Sequence, residues 1–406
     1  MSIGFLKNRL VLNPFFWFAL VWTITLAFYS LNLVTVYPQI PLSLLAFFIG
    51  IIVISIVLIF VYNHLFLGPD KSIFVLRESK PSYWLAVICA LAFLAAVFYS
   101  KMVPLIEIFK GNQGSYKSFG IPSFTFLAVT LTLALSSLSS VKLAYGSDHK
   151  GSNACCILLC YLIFILSYSR GILILAFLIT FILLLSKHHA NGFYLLGFIL
   201  IAIIGLLIFN IAGNIRQKSA WNDSSYIMGL AGFNEDYYFL KDFSWGLIYI
   251  CSPLGNLTYN YLNVAVDRSF SGMLSQLLPD FLSKRILPGY SADLFLAQPQ
   301  LTVSSMFAGG YKYGGLFGMF LSYLELILMI FVVAFLTKDD PKYFLASSAS
   351  LSIISALTFF DNMVTYSGFS LFLVYFVIGR FYEKKQNQQF TIVIVDPPKE
   401  LLINDN

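Results

Sequence analysis

The chain has 406 residues, 59% of them hydrophobic and 11% charged, with a formal net charge of +6; its mean hydropathy is +0.82. Ordinary soluble domains carry about 25% charged residues, so no water-soluble fold can hide this much apolar surface. The basic residues lie in short clusters between apolar runs rather than in one stripe, which argues against nucleic acid as a partner and leaves membrane lipid.

The first apolar stretch covers 15–34, and others long enough, or nearly so, to cross a ~30 Å hydrocarbon core follow at 42–62, 83–99 and 124–141. Further stretches cover 154–169, 171–186, 193–211, 316–336, 343–360 and 363–378. The expected fold is therefore all-α and polytopic, with about ten spans. No small-residue cleavage site follows the first stretch, so it is expected to stay as a span. Four of the five cysteines, Cys89, Cys155, Cys156 and Cys160, fall inside these runs as small hydrophobes. With Cys251 they form neither a disulfide framework nor a CxxC metal pattern.

Lys and Arg in short loops mark the cytoplasmic side. Lys7 and Arg9 precede the first span, and Lys71, Arg77 and Lys80 follow the second. Lys142 and Lys150 follow the fourth, Lys187 the sixth, Lys338 and Lys342 the eighth, and Arg380, Lys384 and Lys385 the tenth. Every even-numbered exit is basic, so both termini are expected inside, although Lys101, Lys110 and Lys117 after the third span run against the pattern.

Segment 245–264 is apolar but carries Ser252, Pro253, Gly255, Asn256 and Asn260. As a span it would put the basic tail outside, so it is expected on the outer surface or re-entering partway, shielded by protein. The chain thus divides into spans one to seven over 1–213, a large external loop over 214–304, spans eight to ten over 305–380, and a polar tail over 381–406.

Candidate chemistry gathers on the outer side. The fifth and sixth spans are short, about 24 Å at 1.5 Å per residue, so the turn Tyr168-Ser169-Arg170-Gly171 should place Arg170 in a recess. A guanidinium there needs water or an anion. Arg216 and Lys218 leave the seventh span toward the same surface, and Lys312 lies beside the glycine-rich approach to the eighth. Arginine grips phosphate oxygens with two parallel hydrogen bonds and lysine adds a point charge, so these four can hold a diphosphate. The large loop offers Glu235, Asp236, Asp267 and Asp280 as acids to accept a proton from a hydroxyl. Its aromatics, with Tyr311 and Tyr313 nearby, suit sugar rings as well as membrane interfaces. Glu325 sits in mid-span, where a carboxylate is costly, and is expected to be structural. Asp361 and Asn362 occupy a short outer turn that could line the same cavity. All four histidines fall on loops expected to be cytoplasmic, and no outer Asp-x-Asp pattern is present, so an enzyme here is expected to work without metal or other cofactor.

Four segments carry a resemblance: Ser169-Arg170-Gly171, Gly213-Asn214-Ile215-Arg216, Ser252-Pro253-Leu254-Gly255-Asn256-Leu257 and Gly310-Tyr311-Lys312-Tyr313-Gly314-Gly315-Leu316-Phe317-Gly318. In this order, over roughly 154–336, the chain resembles the O-antigen polymerase family, the Wzy-type oligosaccharide repeat-unit polymerases. An acidic residue is commoner in that family where Lys312 stands. The resemblance implies a GT-C-like glycosyltransferase that joins undecaprenyl-diphosphate-linked oligosaccharides at the periplasmic face of a bacterial inner membrane. It also implies a chain-length regulator as a candidate partner. O-antigen ligase is the nearest alternative, though it would call for an outer histidine; a polysaccharide flippase would call for inverted repeats and broken helices in mid-membrane.

Overall fold

A computed structural model describes residues 10–67, 82–110, 112, 118–187, 192–217, 219–290 and 293–385. Its regular elements are all helical; the nearest thing to sheet is an isolated antiparallel bridge between Val34 and Phe233. The first helices are α1 (Pro14–Ser30), α2 (Leu42–Phe66), α3 (Tyr83–Ser100), α4 (Pro104–Phe109), α5 (Phe124–Tyr145), α6 (Lys150–Leu166), α7 (Arg170–Lys187) and α8 (Gly192–Arg216). The first nine expected spans each lie largely on a helix; the tenth, 363–378, begins in a turn and crosses a break at Leu371 between the helices Ser367–Ser370 and Phe372–Lys385. Among the described residues, five helices are long and apolar enough to cross a membrane: α2, α3, α5, α7 and the later Phe307–Thr337. The chain is a helical membrane protein. Large apolar side chains such as Val53, Val57 and Phe60 on α2 point outward with nothing over them, as a hydrocarbon-facing surface requires.

The expected large loop is built rather than open. It holds α9 (Ser225–Ala231), a 3-10 helix (Glu235–Phe243), α10 (Ser244–Asn263), α11 (Phe270–Leu277) and α12 (Asp280–Ile286). The ambiguous 245–264 segment is thus helical almost throughout. It does not rest on a surface: it packs against α1 and α8, with Trp245, Ile248, Leu254 and Leu257 buried. Its amides then do work that a lipid-facing helix could not use. The Asn256 side-chain NH2 donates to the carbonyls of Leu301 and Val303 at 2.8 and 2.9 Å, and that of Asn260 to Phe295 at 2.6 Å. They hold the irregular 295–303 stretch against the bundle, and that stretch leads to Ser304 and Ser305 in the wall of a polar chamber.

The chain then returns through α13 (Phe307–Thr337), α14 (Pro341–Leu357), α15 (Ser367–Ser370) and α16 (Phe372–Lys385). The middle of the bundle is α14, buried continuously from Pro341 to Ser355 and packed on α1, α5, α7, α13 and α16. Its run Ala346-Ser347-Ser348-Ala349-Ser350 is small, so five neighbours can approach its backbone. Its hydroxyls pair outward: Ser348 with Tyr62 at 2.9 Å and Ser347 with Thr337 at 2.9 Å.

Helix α13 is broken at Gly315 (φ 60, ψ −145), a conformation closed to most side chains. The first part folds back so closely that a Cβ on Gly310 would lie 2.5 Å from the Gly318 carbonyl oxygen, and one on Gly318 would strike the carbonyl of Gly310. Gly318→Leu should therefore destabilise the protein by about 1–3 kcal/mol, the usual cost of overpacking. Gly50→Leu, facing open space on α2, should be neutral or slightly stabilising. Thermal unfolding of the two variants in the same detergent measures the contrast; equal midpoints would rule out the crossing.

Candidate functional site

At the loop end of the bundle, α11, α12, the residues Tyr290, Asp293, Ser304 and Ser305, the start of α13 and the turn 361–366 line a polar chamber of about 410 Å³. Backbone hydrogen bonds fix its walls: the Asp280 N–H donates to the Thr365 carbonyl and the Met306 N–H to the Thr358 carbonyl, each at 2.9 Å. The Asn362 side-chain oxygen accepts the N–H groups of Val364 and Thr365 at 3.2 and 3.4 Å, an Asx turn that presents Asp361 to the chamber.

Three carboxylates, Asp280, Asp293 and Asp361, line this space with one cation, Lys284. Lys284 stands 3.7 Å from Asp280, one helical turn back. The surrounding walls raise the Asp361 pKa although its side chain keeps contact with solvent, which limits the effect; the Asn362 N–H donating to it at 2.7 Å opposes the rise, and the Asp280 charge adds to it.

An apolar groove of about 540 Å³ adjoins it between α13 and α16. The two share a border: Pro279 and Phe281 line the groove while Asp280 between them lines the chamber, and Val364 and Thr365 divide in the same way. Glu325 is the groove's carboxyl, and its buried Oε2 has no hydrogen-bond partner. A second cleft, of about 690 Å³, lies on the other side of α11 and the first part of α13, with Arg268, Tyr261, Tyr311 and Tyr313 in its walls. Tyr290 of the chamber meets Tyr313 of the cleft edge to face at 5.7 Å.

The expected site residues divide accordingly. Asp280 lines the chamber. Glu235 and Asp236 are exposed on the 3-10 helix and lie outside its lining, and the Asp267 N–H is spent on the Lys312 carbonyl at 2.9 Å, at the edge of the second cleft. Tyr311 and Tyr313 line that cleft, and the Tyr311 hydroxyl points at the Tyr261 carbonyl, 3.3 Å away. Lys312 donates to the backbone carbonyl of Asp293 at 3.1 Å and so stands at the chamber's rim. Arg170 is exposed, its guanidinium 4.6 Å from the Tyr168 ring centre. Its neighbour Gly171 faces Phe369, which packs on Tyr366 of the chamber at 5.1 Å. Arg216 ends α8, whose last turns pack on Trp245 through Gly213 rather than on the chamber; Lys218 lies outside the described residues.

Asp293 and Tyr366 are chamber residues that sequence reading missed. Asp293 carried no signal, and Tyr366 would have needed the observation that the 361–366 turn is polar between two apolar runs. Among the described residues, no three His, Cys, Asp or Glu side chains are grouped as metal ligands. Compared with protein-family models, with curated proteins and with solved structures, the chain matches none.

The raised Asp361 pKa has a consequence for stability. The folded chain holds that proton more tightly than the unfolded chain, so ionised Asp361 costs stability at neutral pH, and the cost fades as pH falls toward the unfolded value of about 4. Asp361→Asn should therefore raise the unfolding midpoint near pH 8 and change it less near pH 4. A variant with no gain near pH 8 would show that Asp361 is not under this strain.

Proposed function

We propose that this chain is a membrane glycosyltransferase that polymerises undecaprenyl-diphosphate-linked oligosaccharide repeat units into O-antigen or a related surface polysaccharide. It acts at the periplasmic face of a bacterial inner membrane, with ten spans, both termini in the cytoplasm and no metal. The observation that carries the reading is the acid-lined chamber at the loop end of a helical membrane bundle, where a carboxyl with a raised pKa stands beside a second carboxylate. A base is most effective when its pKa approaches the working pH, and Asp361 is shifted in that direction.

In the reaction, a hydroxyl of the acceptor sugar attacks the anomeric carbon of the donor. Its proton passes to Asp361 or Asp280, the bond from the anomeric carbon to the diphosphate oxygen breaks, and the diphosphate leaves on its lipid. Arg170 and Lys312, with Arg216 and Lys218 as further candidates, stabilise the charge that develops on the diphosphate. Tyr311, Tyr313 and Arg268 give the second cleft the character of a sugar-chain binding surface. Glu235, Asp236 and Asp267 have no part in this assignment, because they lie outside the chamber lining.

Polysaccharide profiling of cells in which the gene is deleted and then restored tests the proposal. Deletion should leave lipid A core bearing a single repeat unit, and the wild-type gene should restore the ladder. Polymer accumulating on the undecaprenyl carrier would mean ligase, and an unchanged ladder would exclude both activities. Asp361→Asn and Arg170→Ala should insert normally yet fail to restore long chains, with a rate loss of about 10²–10⁴ for removal of a general base. A normal ladder from Asp361→Asn would remove the base assignment.

A further inference from the structure

The apolar groove and the polar chamber adjoin along the bundle's side. The groove descends between α13 and α16, with Leu328, Val332 and Leu336 on one wall and Leu373, Val374 and Val377 on the other. Arg380 donates to the Leu336 carbonyl at 2.6 Å, which sets the register of these two parallel helices. Eleven residues back along α13, about 16 Å at 1.5 Å per residue, Glu325 lines the other end of the groove, while α16 itself reaches back only to Phe372. Ser370 lines the groove, Phe369 packs on Tyr366 of the chamber, and Gly171 beside Arg170 faces Phe369. This end of the groove thus carries the Glu325 carboxyl, and Arg170 starts α7 one residue before the glycine that faces Phe369.

We propose that the α13/α16 groove seats the isoprenoid chain of the lipid-linked substrate, with the diphosphate at its mouth between Glu325 and Arg170 and the sugars in the chamber. This rests on the reading of the chain as a glycosyltransferase acting on such lipids, and it names the path by which they enter. The border with the chamber selects the occupant. An apolar groove alone would accept any bilayer lipid, but one bounded by Pro279, Phe281 and Val364, whose chain neighbours Asp280 and Thr365 line an acid-lined cavity, fits a molecule that is hydrocarbon at one end and sugar at the other. Oε2 of Glu325 has no protein partner and, in its acid form, can donate one hydrogen bond to a phosphate oxygen as the head group turns upward.

Glu325 also provides the test, because dicyclohexylcarbodiimide modifies carboxyl groups held in apolar surroundings. The full chain in phosphatidylcholine vesicles is labelled alone, with undecaprenyl diphosphate, or with an equal amount of dioleoyl phosphatidic acid, and the adduct at Glu325 is quantified by peptide mass spectrometry. With the isoprenoid in roughly tenfold excess over its Kd, labelling should fall roughly tenfold, while phosphatidic acid should leave it unchanged; Glu325→Gln should carry no adduct. Undiminished labelling with undecaprenyl diphosphate, or equal protection by phosphatidic acid, overturns the assignment. If wild type takes no label, a diazirine-bearing isoprenoid diphosphate replaces the probe: crosslinks on 328–336 and 371–377 support the groove and crosslinks elsewhere overturn it. Val374→Trp, which fills the groove with another apolar side chain, should abolish those crosslinks. A deletion that leaves the polysaccharide ladder intact removes the glycosyltransferase reading and spares the groove, whereas a lost ladder with unprotected Glu325 removes the groove alone.

Discussion

The packing around α14 is the constraint on which the other elements depend. In a bilayer no hydrophobic gain accompanies helix association, so close van der Waals contact and interhelical hydrogen bonds must supply it. A helix of serine and alanine offers both, and α14 is buried from Pro341 to Ser355 because five helices can press against its small side chains. At its loop end, Thr358 ties the arrangement together: its hydroxyl accepts the Trp22 indole N–H at 3.1 Å and its carbonyl accepts the Met306 N–H. One residue thereby fixes α1, the start of α13 and the turn that carries Asp361. The chamber hangs from the most confined helix in the molecule, which is the kind of support a precise polar site needs.

Much of the architecture could be read from the sequence because hydrocarbon imposes a simple rule. Runs such as 42–62 and 124–141 have no other stable state in a bilayer than helix, and both fold as helices. The glycines between Gly310 and Gly318 could be read as an unusual backbone path, but not as a crossing of the two parts of α13, since the close contact is made only after the break at Gly315. Segment 245–264 was ambiguous for a physical reason. Its Asn256 and Asn260 are costly in lipid and useful only when a loop is present to accept their hydrogen bonds, and local sequence does not show that loop.

The chamber itself was only partly legible. Four loop acids, Glu235, Asp236, Asp267 and Asp280, look alike in a stretch of balanced charge and no clear periodicity. What separates Asp280 is a backbone hydrogen bond to Thr365, far along the chain, and no local pattern encodes it. Asp361 was easier to notice, because a carboxylate and an amide between two apolar runs stand out, whereas Asp293 sits in an irregular stretch with nothing to mark it. Glu325 shows the opposite problem: mid-span acids are conspicuous, yet a structural role and a role at a groove's mouth look identical until the neighbouring helix is placed.

The chamber brings two carboxylates together only because its backbone is fixed. The Asp280 charge adds to what raises the Asp361 pKa, and Lys284 is too exposed, at 78% for its side chain, to offset that strongly. The Asp280 N–H bonded to Thr365, the Asn362 turn and the Thr358 anchor keep both carboxylates on the same space, and together they do so without any one being strong. In the proposed reaction a hydroxyl that hydrogen-bonds Asp361 offsets part of the cost of its charge, so the shift that burdens ionised Asp361 is the same one that suits it to take up a proton.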